Sequence, residues 1–246
     1  MSTFIRLRRM KIALIGYGKM GKAIEPIALE RGHEIVLKAQ TSEEVDPQIL
    51  AEADVAIEFT SPESAKTNIL LCFNSNTPVV IGTTGWYENM DEIRAEMDSK
   101  NGAMLPATNF SLGVNIFFEI NKRLGALMNN QHQYDVMIEE THHIEKLDAP
   151  SGTAITIGED VLSVVDRKKN WINTSSSESE ELSIISHREP DVPGTHIVTY
   201  ESEVDSIILE HVAHSRKGFA LGAVIAAEFL AGKTGIYSMK DVLNLN

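Results

Sequence analysis

KIALIGYGKMG, residues 11–21, is the stretch that decides the fold. KIALIG is a continuous apolar run that ends in glycine, a pattern typical of a buried parallel strand. GYGKMG fits the pattern G-x-G-x-x-G, and apolar residues recur at helical spacing after it. In this pattern Gly16 permits a tight turn, Gly18 lets a pyrophosphate approach the backbone, and Gly21 lets the helix pack on the strand. A plain glycine-rich turn is the alternative, but the strand before it and the helix after it favour dinucleotide binding.

The alternation of strands and helices continues beyond this loop. The pattern predicts strands at 33–40, 53–60, 78–85 and 102–110. It predicts helices at 61–76 and 87–101. Strand–helix–strand order at this spacing predicts a doubly wound parallel sheet, an α/β fold of Rossmann type. Pro26 stands inside the first helical pattern and is expected to kink that helix.

The character of the chain changes after about residue 109. The later pattern predicts a helix at 113–128, a strand at 134–143, a helix at 151–166, a Ser/Glu-rich surface loop at 170–183, antiparallel strands at 183–215 and a helix at 219–232. We therefore predict a dinucleotide-binding domain over residues 1–108 and a smaller α+β domain over residues 109–215. The last segment, residues 216–246, is expected to complete the first domain.

Composition excludes several classes of protein. The 246 residues carry a net charge of −13, which disfavours nucleic acid and anionic membrane surfaces as partners. No apolar run approaches the roughly 18 residues of a membrane span, and the first nine residues lack the apolar core of a secretory signal. The single cysteine, Cys72, excludes an internal disulfide and a cysteine-based zinc cage, and its apolar surroundings predict a buried, inert thiol. These features predict a cytoplasmic protein.

The end of the second predicted strand bears on the choice of dinucleotide. An acidic residue usually stands there and binds the adenosine ribose, but this chain has Ala39 and Gln40. Lys38 is adjacent and suits a 2′-phosphate, hence NADPH, although a solvated edge lysine is an equal alternative. Glu43 and Glu44 come late in the chain for the ribose role. The sequence therefore leaves NADH and NADPH both open.

A second distinctive stretch is EETHHIEKLDAPSGTAIT, residues 139–156. A metal site is one interpretation, but His142 and His143 are adjacent and would point apart on a strand. They also lack the i, i+4 spacing of a helical zinc motif, and Lys146 would place a cation beside the metal. A site that combines them with later side chains is disfavoured but not excluded: Asp148, His187, His196, His211 and His214. We predict no metal.

An acid–base site fits this stretch better. His142 can give or take a proton near neutral pH, and Lys146 can donate a proton or pair with an anion. Ser151 or Thr153 is placed to cap a helix whose first N–H groups suit a carboxylate. A surface loop with a capping serine is the alternative, and the glycine-rich loop shifts the balance toward a site opposite a cofactor.

ETHHIEKLDAPSGTA, residues 140–154, resembles the signature E-x-H-H-x-x-K-x-D-A-P-S-G-T-A of the dihydrodipicolinate reductase family of the lysine and diaminopimelate pathway. The shorter stretches FTSPES, IGTTG, NFSLGVN, VPGTH and AHSR support the resemblance, which spans nearly the whole chain after Met10. In this family the phosphate loop is often one residue longer, with an arginine where Lys19 stands here. The resemblance implies a Rossmann domain and a substrate domain whose open mixed sheet builds a homotetramer.

The resemblance also implies roles for individual residues. His142 and Lys146 would be catalytic, as acid–base histidine and proton donor. His143, Ser151, Gly152 and Thr153 would bind the substrate carboxylates. The cofactor, NADPH or NADH, would be bound by residues after several strands and near the return to the first domain: Gly16, Tyr17, Gly18, Lys19, Met20, Gly21, Lys38, Phe59, Gly82, Thr83, Thr84, Ala107, Thr108, Asn109, Phe110, Arg216 and Phe219.

The implied reaction is hydride transfer from the nicotinamide to a small anionic cyclic imine dicarboxylate. Either His142 or Lys146 would supply the proton that the product requires. Another reductase on the same scaffold is one alternative, although a semialdehyde dehydrogenase needs a nucleophilic cysteine and Cys72 lies in an apolar helical pattern. A non-enzymatic nicotinamide-nucleotide sensor is the other, but it has no need of the histidine, lysine and Ser-Gly-Thr arrangement.

Overall fold

The computed structural model describes residues 8–215 and 217–245. Their contacts divide into two compact units, one of residues 8–112 with 217–245 and the other of residues 113–215. Arg216, which the resemblance assigns to the cofactor, lies outside the described residues. In the part of the chain that the structure describes, no helix is long and apolar enough to cross a membrane.

A six-stranded parallel sheet forms the centre of the first unit. Its strands are β1 (Lys11–Ile15), β2 (Glu34–Ala39), β3 (Val55–Glu58), β4 (Val79–Ile81), β5 (Ala103–Pro106) and β11 (Gly235–Ile236). They lie in the order β11-β5-β4-β3-β1-β2, and every neighbouring pair is parallel. Residues of β1, β3 and β4 are almost fully buried, because helices cover both faces of such a sheet. The predicted doubly wound parallel sheet is confirmed.

The helices of the first unit connect these strands. They are α1 (Lys19–Glu30), α2 (Pro47–Leu50), α3 (Pro62–Asn74), α4 (Met90–Ser99), α7 (Lys217–Leu230) and α8 (Met239–Leu243). Side chains of α1 and α7 contribute to one apolar cluster, and those of α3 and α4 contribute to another. Helix α1 continues as one element through Pro26. The sequence did not predict α2, α8 or β11, which are too short to produce a periodic pattern.

The order of strands reverses between β1 and β3. Ligands of open α/β sheets bind beyond the carboxyl ends of the strands at such a reversal. Gly16 follows β1 with φ +94°, and a Cβ atom there would lie 1.9 Å from the carbonyl oxygen of Phe59, which follows β3. Glycine is therefore required at position 16, because the two loops touch at this point.

Helix α7 returns the chain to the first unit after the second unit is complete. Its buried alanines and Leu230 join the same apolar cluster as β1 and α1. Arg31 at the end of α1 donates to both carboxylate oxygens of Glu228 at 2.7 Å, and His33 Nε2 lies 2.8 Å from the same carboxylate. Residues 217–245 therefore complete the core of the first unit.

A five-stranded mixed sheet forms the second unit, with two helices packed on one face. The elements are α5 (Leu112–Met128), β6 (Asp135–His142), α6 (Gly152–Leu162), β7 (Asn170–Ile172), β8 (Glu181–Arg188), β9 (Thr195–Glu201) and β10 (Ser206–Val212). The strand order is β10-β9-β6-β8-β7. Strands β10, β9 and β6 are antiparallel to their neighbours in that series, whereas β8 is parallel to both β6 and β7.

Two expectations for this unit are wrong. Residues 170–183 are not all loop, because β7 and the start of β8 lie within them. The strands after residue 183 are not all antiparallel, because β8 pairs with β6 in parallel. A strand of three residues and the direction of pairing are both set by the neighbouring strands, and the local pattern does not record them.

Candidate active site

Three loops of the first unit enclose a cavity of about 500 Å³. They follow β1, β3 and β4, at the carboxyl edge of the sheet. The residues that line it are Gly18, Lys19, Met20, Phe59, Thr60, Pro62, Gly82, Thr83 and Thr84. All but Thr60 and Pro62 belong to the predicted cofactor set. A Cβ atom at Gly18 would meet none of the described atoms within 4 Å, so the loop leaves room for a phosphate there.

Phe59 lines this cavity and lies close to two other predicted residues, Gly82 and Phe110. A Cβ atom at Gly82 would lie 2.1 Å from the Phe59 ring, so the ring can keep this position beside the β4 loop only when residue 82 is glycine. The Phe59 and Phe110 rings are 5.8 Å apart and tilted by 57°. Phe110 in turn packs on α7, where a Cβ atom at Gly222 would lie 1.7 Å from the Phe110 carbonyl oxygen.

A buried carboxyl group, Glu58, lies behind the same loops. The Thr60 hydroxyl donates to Glu58, Asn68 Nδ2 lies 3.3 Å from it, and the Thr60 amide donates to Thr83 Oγ1 at 2.7 Å. Burial raises the pKa of Glu58, and the hydrogen bonds from Thr60 and Thr83 oppose that rise. Glu58 was not predicted from the sequence, although a single charge inside the apolar run VAIEF, residues 55–59, was a visible signal.

Other predicted cofactor residues lie outside the cavity lining. Ala107 packs on the apolar cluster of β1 and α1, Thr108 is exposed, and Asn109 Oδ1 accepts from the amide of Ser111 at 2.8 Å. Phe219 is half-buried on α7.

Lys38, another predicted cofactor residue, lies near the end of β2 and contacts the loop that follows β1. Lys38 Nζ is 2.5 Å from Glu25 Oε1, and the Tyr17 hydroxyl donates to the other oxygen of Glu25. The Lys38 ammonium also lies 5.2 Å from the centre of the Tyr17 ring. The nearby Gln40 amide donates to Glu44 Oε2 at 2.7 Å, so an acidic side chain does reach the end of β2. Gly21 packs closely, because a Cβ atom there would lie 2.8 Å from the carbonyl oxygen of Gly16.

The second stretch of interest lies on β6, whose side chains alternate between the two faces of the sheet. Val136, Ile138, Glu140 and His142 are the buried positions and face α6. Glu140 pairs with His196 of β9, and His142 pairs with Arg188 of β8. Because alternate residues share a face, this register brings Glu140, His142 and His196 together at the end of an otherwise apolar surface.

Glu140 is the centre of this cluster, and its carboxylate is fully buried. Its Oε1 atom accepts from the amide of Ser151 at 3.0 Å and from Arg188 at 3.2 Å. Its Oε2 atom lies 3.0 Å from His142 Nδ1, a hydrogen-bond distance at an unfavourable angle. Burial by itself raises the pKa of Glu140, but the contacts with His142 and Ser151 outweigh it and hold that pKa well below its usual range. The carboxylate is therefore ionised.

His196 completes the buried cluster as a neutral ring. It meets His142 edge-on with ring centres 5.1 Å apart, and its Nε2 atom lies 3.3 Å from Ser151 Oγ. Burial, followed by repulsion from His142, lowers the pKa of His196 to about 3. Ligand atoms of Glu140, His142 and His196 lie within 4.8 Å of one another, a spacing that a metal ion could use. Arg188 already supplies a positive partner to Glu140, which favours a proton-handling cluster, and the absence of a metal stays a prediction.

Lys146 lies in the loop after β6 and contacts a different carboxylate. Its Nζ atom is 2.8 Å from Asp148 Oδ2, and this contact lowers the pKa of Asp148. Arg188 holds the loop in place, because it donates to the carbonyl oxygens of Lys146 at 3.2 Å and Asp148 at 2.6 Å. Arg188 and Glu140 were not predicted as site residues from the sequence.

Ser151 caps helix α6, as expected. Its Oγ atom accepts from the amide of Ala154 at 3.2 Å. A Cβ atom at Gly152 would contact none of the described atoms within 4 Å, so the space beside the helix start is open. His143 lies apart from this cluster, because it lines a cavity of about 360 Å³ with residues 190–193. The adjacent histidines therefore point to different places, as the strand geometry requires.

Comparison with known proteins identifies the family. Residues 10–110 match the family description "Dihydrodipicolinate reductase, N-terminus", and residues 113–243 match "Dihydrodipicolinate reductase, C-terminus". The 4-hydroxy-tetrahydrodipicolinate reductase of Christiangramia forsetii is 48% identical over 235 residues, which are 96% of this chain and 98% of that protein. The protein of the same name from Neisseria meningitidis serogroup A is 33% identical over 231 residues, 90% of this chain and 84% of its own length.

A solved structure agrees with the fold. The structure described as dipicolinate-bound dihydrodipicolinate reductase from Paenisporosarcina sp. TG-14 matches with a TM-score of 0.78 and 22% identity, over 94% of this chain and 97% of that one. The two family matches together span both units, and the relatives match over nearly the whole chain. The chain therefore belongs to the dihydrodipicolinate reductase family, whose members are nicotinamide-dependent oxidoreductases.

Proposed function

We propose that this protein reduces 4-hydroxy-tetrahydrodipicolinate to tetrahydrodipicolinate with NADH or NADPH, in lysine and diaminopimelate biosynthesis. The family membership and the 48% identical relative of that name support the reaction. The observation that carries it is the cluster at the end of β6, where the buried His142 meets an ionised Glu140 beside the start of α6. A titratable pair of this kind, at a helix start that suits carboxylates, fits an enzyme that binds an anionic substrate and protonates it.

The first unit supplies residues that fit a dinucleotide. The open space at Gly18 and the cavity of about 500 Å³ around it suit a pyrophosphate and an adjoining ring. We assign the cofactor to the residues predicted above, from the glycine-rich loop to Phe219, within the domain that residues 1–108 and 216–246 form. The nicotinamide, when bound, supplies the hydride, and these residues hold and orient the cofactor.

The second unit, which we assign over residues 109–215, binds the substrate. The dicarboxylate needs cations and N–H donors in a protein with a net charge of −13. Lys146 supplies a cation, and the N–H groups at the start of α6, at Gly152 and Thr153, lie where a helix attracts anions. Ser151 fixes that helix start, and His143 is the further carboxylate partner. If the substrate is fully enclosed when it binds, water is kept away from it during hydride transfer.

The proton comes from His142 or Lys146. Hydride addition leaves an electron pair on a conjugated system, and a proton must meet it to give the product. His142 is almost fully buried and contacts Glu140, whereas Lys146 is paired with Asp148. His142 is the last residue of β6 and Lys146 follows four residues later, so one can bind a carboxylate while the other transfers the proton.

We further propose a cytoplasmic homotetramer. Helices α5 and α6 pack on only one face of the sheet of the second unit. On the other face Met137, Ile185 and Ile197 are half-buried, and among the described residues no helix covers them. The edge strand β10 adds exposed Ile208 and Val212. A second copy of the sheet would bury these side chains, in the way that obligate interfaces bury apolar surface.

The test is steady-state kinetics with the cyclic imine substrate and each nucleotide. We expect oxidation of NADH or NADPH, and a fall of at least about 100-fold in kcat for His142→Gln or Lys146→Ala, the usual contribution of a general acid. Cofactor binding, followed by protein fluorescence, should be unchanged in both variants. Oxidation of neither nucleotide by the unmodified protein would refute the assignment and favour another reductase or a nucleotide sensor. Full turnover in both variants would refute the mechanism.

A further inference from the structure

We propose that Glu140 is a positioning residue that makes His142 the proton donor, with Nε2 as the atom that delivers the proton and Gly194 keeping the space beside that atom open. The proposal rests on the proposed function and decides between the two donors that it leaves.

One carboxylate oxygen of Glu140 accepts two hydrogen bonds, and the other faces His142. Its Oε1 atom accepts from the Ser151 amide at 3.0 Å and from Arg188 at 3.2 Å. These two donors belong to α6 and β8, so the carboxylate is held from two sides. Its Oε2 atom consequently points to His142, 3.0 Å away.

The charge of Glu140 decides which nitrogen of the His142 ring keeps its hydrogen. An ionised carboxylate can only accept hydrogen bonds, so the ring nitrogen that faces it carries a hydrogen in both the neutral and the charged ring. Nδ1 faces Glu140, and the nitrogen that gains and loses the proton is therefore Nε2. The angle at Nδ1 is unfavourable in this rotamer, and contacts of catalytic groups commonly tighten when substrate binds.

The Nε2 atom of His142 faces Gly194. A Cβ atom at Gly194 would lie 3.0 Å from His142 Nε2 and 3.3 Å from Cδ2, closer than about nine in ten real Cβ contacts. Gly194 also has φ +156°, and its carbonyl oxygen accepts from the Ala213 amide at 2.8 Å, which fixes its place. Any side chain at this position would press on the edge of the ring that must reach the substrate.

The neighbouring titratable groups are less suited than His142 to donate the proton. His196 stays neutral because burial disfavours its charged form, so it cannot hold a second proton beside His142. Lys146 is held by Asp148 and by the loop that Arg188 fixes, which suits a carboxylate anchor. The titratable and charged groups of this neighbourhood come from β6, its following loop, β8, β9 and β10: Glu140, Lys146, Asp148, Arg188, His196 and His211.

The proposed transfer balances in electrons and protons. The Nε2–H bond of charged His142 breaks, and its electron pair stays on the ring as a lone pair. The proton combines with the electron pair that the arriving hydride displaces on the substrate. The ring, now neutral, keeps its other hydrogen toward Glu140 and takes a new proton from solvent in the next cycle.

The test compares Glu140→Gln with a matched control, Glu139→Gln. Glu139 is the preceding residue on β6, points to the other face of the sheet and forms an ion pair with the half-exposed His187. We expect Glu140→Gln to lower kcat by about 100-fold or more, as loss of an orienting carboxylate does. KM and the dissociation constant of the nucleotide should stay within about threefold, because the nucleotide and substrate contacts themselves are retained. Glu139→Gln should match the unmodified protein.

Two further measurements separate positioning from folding. Long-range ¹⁵N–¹H spectra of the histidine rings should show the hydrogen of neutral His142 on Nδ1, and a shift toward Nε2 in Glu140→Gln. Glu140→Asp should restore part of the lost kcat because the charge returns. If thermal melts show that both Glu140 variants are unfolded, Gly194→Ala decides, with an expected loss of at least about tenfold in kcat while the fold persists.

Several results would overturn the proposal. They are an unchanged kcat in Glu140→Gln, an equal loss in Glu139→Gln, a neutral His142 ring with its hydrogen on Nε2, and full activity in Gly194→Ala. Loss of activity on treatment with EDTA and recovery with Zn²⁺ would also overturn it, because the cluster would then hold a metal. Inactivity of the unmodified protein would refute the proposed function instead, and the ring spectra would still test the position of the hydrogen.

Discussion

Replacement of Glu228 by glutamine should destabilise the first unit by about 2–3 kcal/mol. Glu228 lies on α7 and receives both arms of the Arg31 guanidinium at 2.7 Å, together with His33 Nε2 at 2.8 Å. Met10 donates to His33 Nδ1, at 3.4 Å, so the neutral ring has its hydrogen on Nε2 and can donate to Glu228. The glutamine amide keeps one acceptor oxygen but leaves the guanidinium without its counter-charge.

The magnitude follows from how far water can replace the lost carboxylate. Removal of one partner of a fully buried ion pair costs about 3–5 kcal/mol, whereas an exposed pair contributes less than about 1 kcal/mol. The side chains of Arg31 and Glu228 are 27% and 13% exposed, so the pair lies between these limits and nearer the buried one. The matched control is Glu30→Gln at the exposed end of α1, which should change stability by less than about 0.5 kcal/mol.

The effect should depend on pH in a defined direction. Burial raises the pKa of Glu228, but the bonds from Arg31 and His33 outweigh it and the pKa lies below the usual value. A carboxyl group whose pKa is lower in the folded state stabilises the protein above its unfolded pKa, about 4.3, and loses that contribution as pH falls through the folded pKa. The difference between the unmodified protein and Glu228→Gln should therefore be complete at pH 7 and shrink below about pH 4.

Urea unfolding followed by tryptophan fluorescence measures this difference. The chain has two tryptophans, and Trp86 is fully buried in the first unit. A Trp171→Phe background leaves Trp86 as the reporter of that unit alone. A loss below about 0.5 kcal/mol at pH 7, or a difference that does not change between pH 7 and pH 3, would refute the reasoning.

Three other predictions concern the first unit. Glu25→Gln removes the partner of Lys38, so the freed cation should tighten NADPH several-fold relative to NADH in fluorescence titrations; an unchanged ratio of dissociation constants contradicts this. Burial raises the pKa of the Cys72 thiol, so a disulfide reagent at pH 8 should label it only in urea, and rapid labelling of the folded protein contradicts this. Burial also raises the pKa of Glu58, so its contribution to stability is present below the unfolded pKa and is lost as pH rises through the folded pKa. The unmodified protein should therefore lose stability relative to Glu58→Gln between pH 4 and pH 8. An equal difference in urea stability at the two pH values would contradict this.

The fold of the first unit was predictable because its signals are local. The glycine pattern at residues 16–21 and the apolar runs of β1, β3 and β4 each lie within a few residues of sequence. Parallel strands buried on both faces need continuous apolar runs, and helices between them need a different period. The short elements at the edges, such as β11, carry no such pattern because their partners define them.

The candidate site was predictable only in part. His142 and Lys146 belong to one continuous stretch, and chemistry alone marks them. Glu140 is in the same stretch, but its burial becomes visible only when β6 is seen to alternate, and Arg188 and His196 lie 46 and 54 residues beyond His142. They reach it through the pairing of β6 with β8 and β9, which depends on the whole sheet. Register of this kind is a long-range property, so a local pattern cannot specify it.

The return of α7 to the first unit has a consequence for synthesis of the chain. The ribosome delivers β1 to β5 first, then the entire second unit, and only then the helix whose alanines cover one face of the parallel sheet. We expect the second unit, which is continuous in sequence, to become resistant to protease on the nascent chain before the first. Until residue 230 has left the exit tunnel, the part of this apolar face that α7 covers stays exposed, and chaperones that recognise apolar surfaces can bind there.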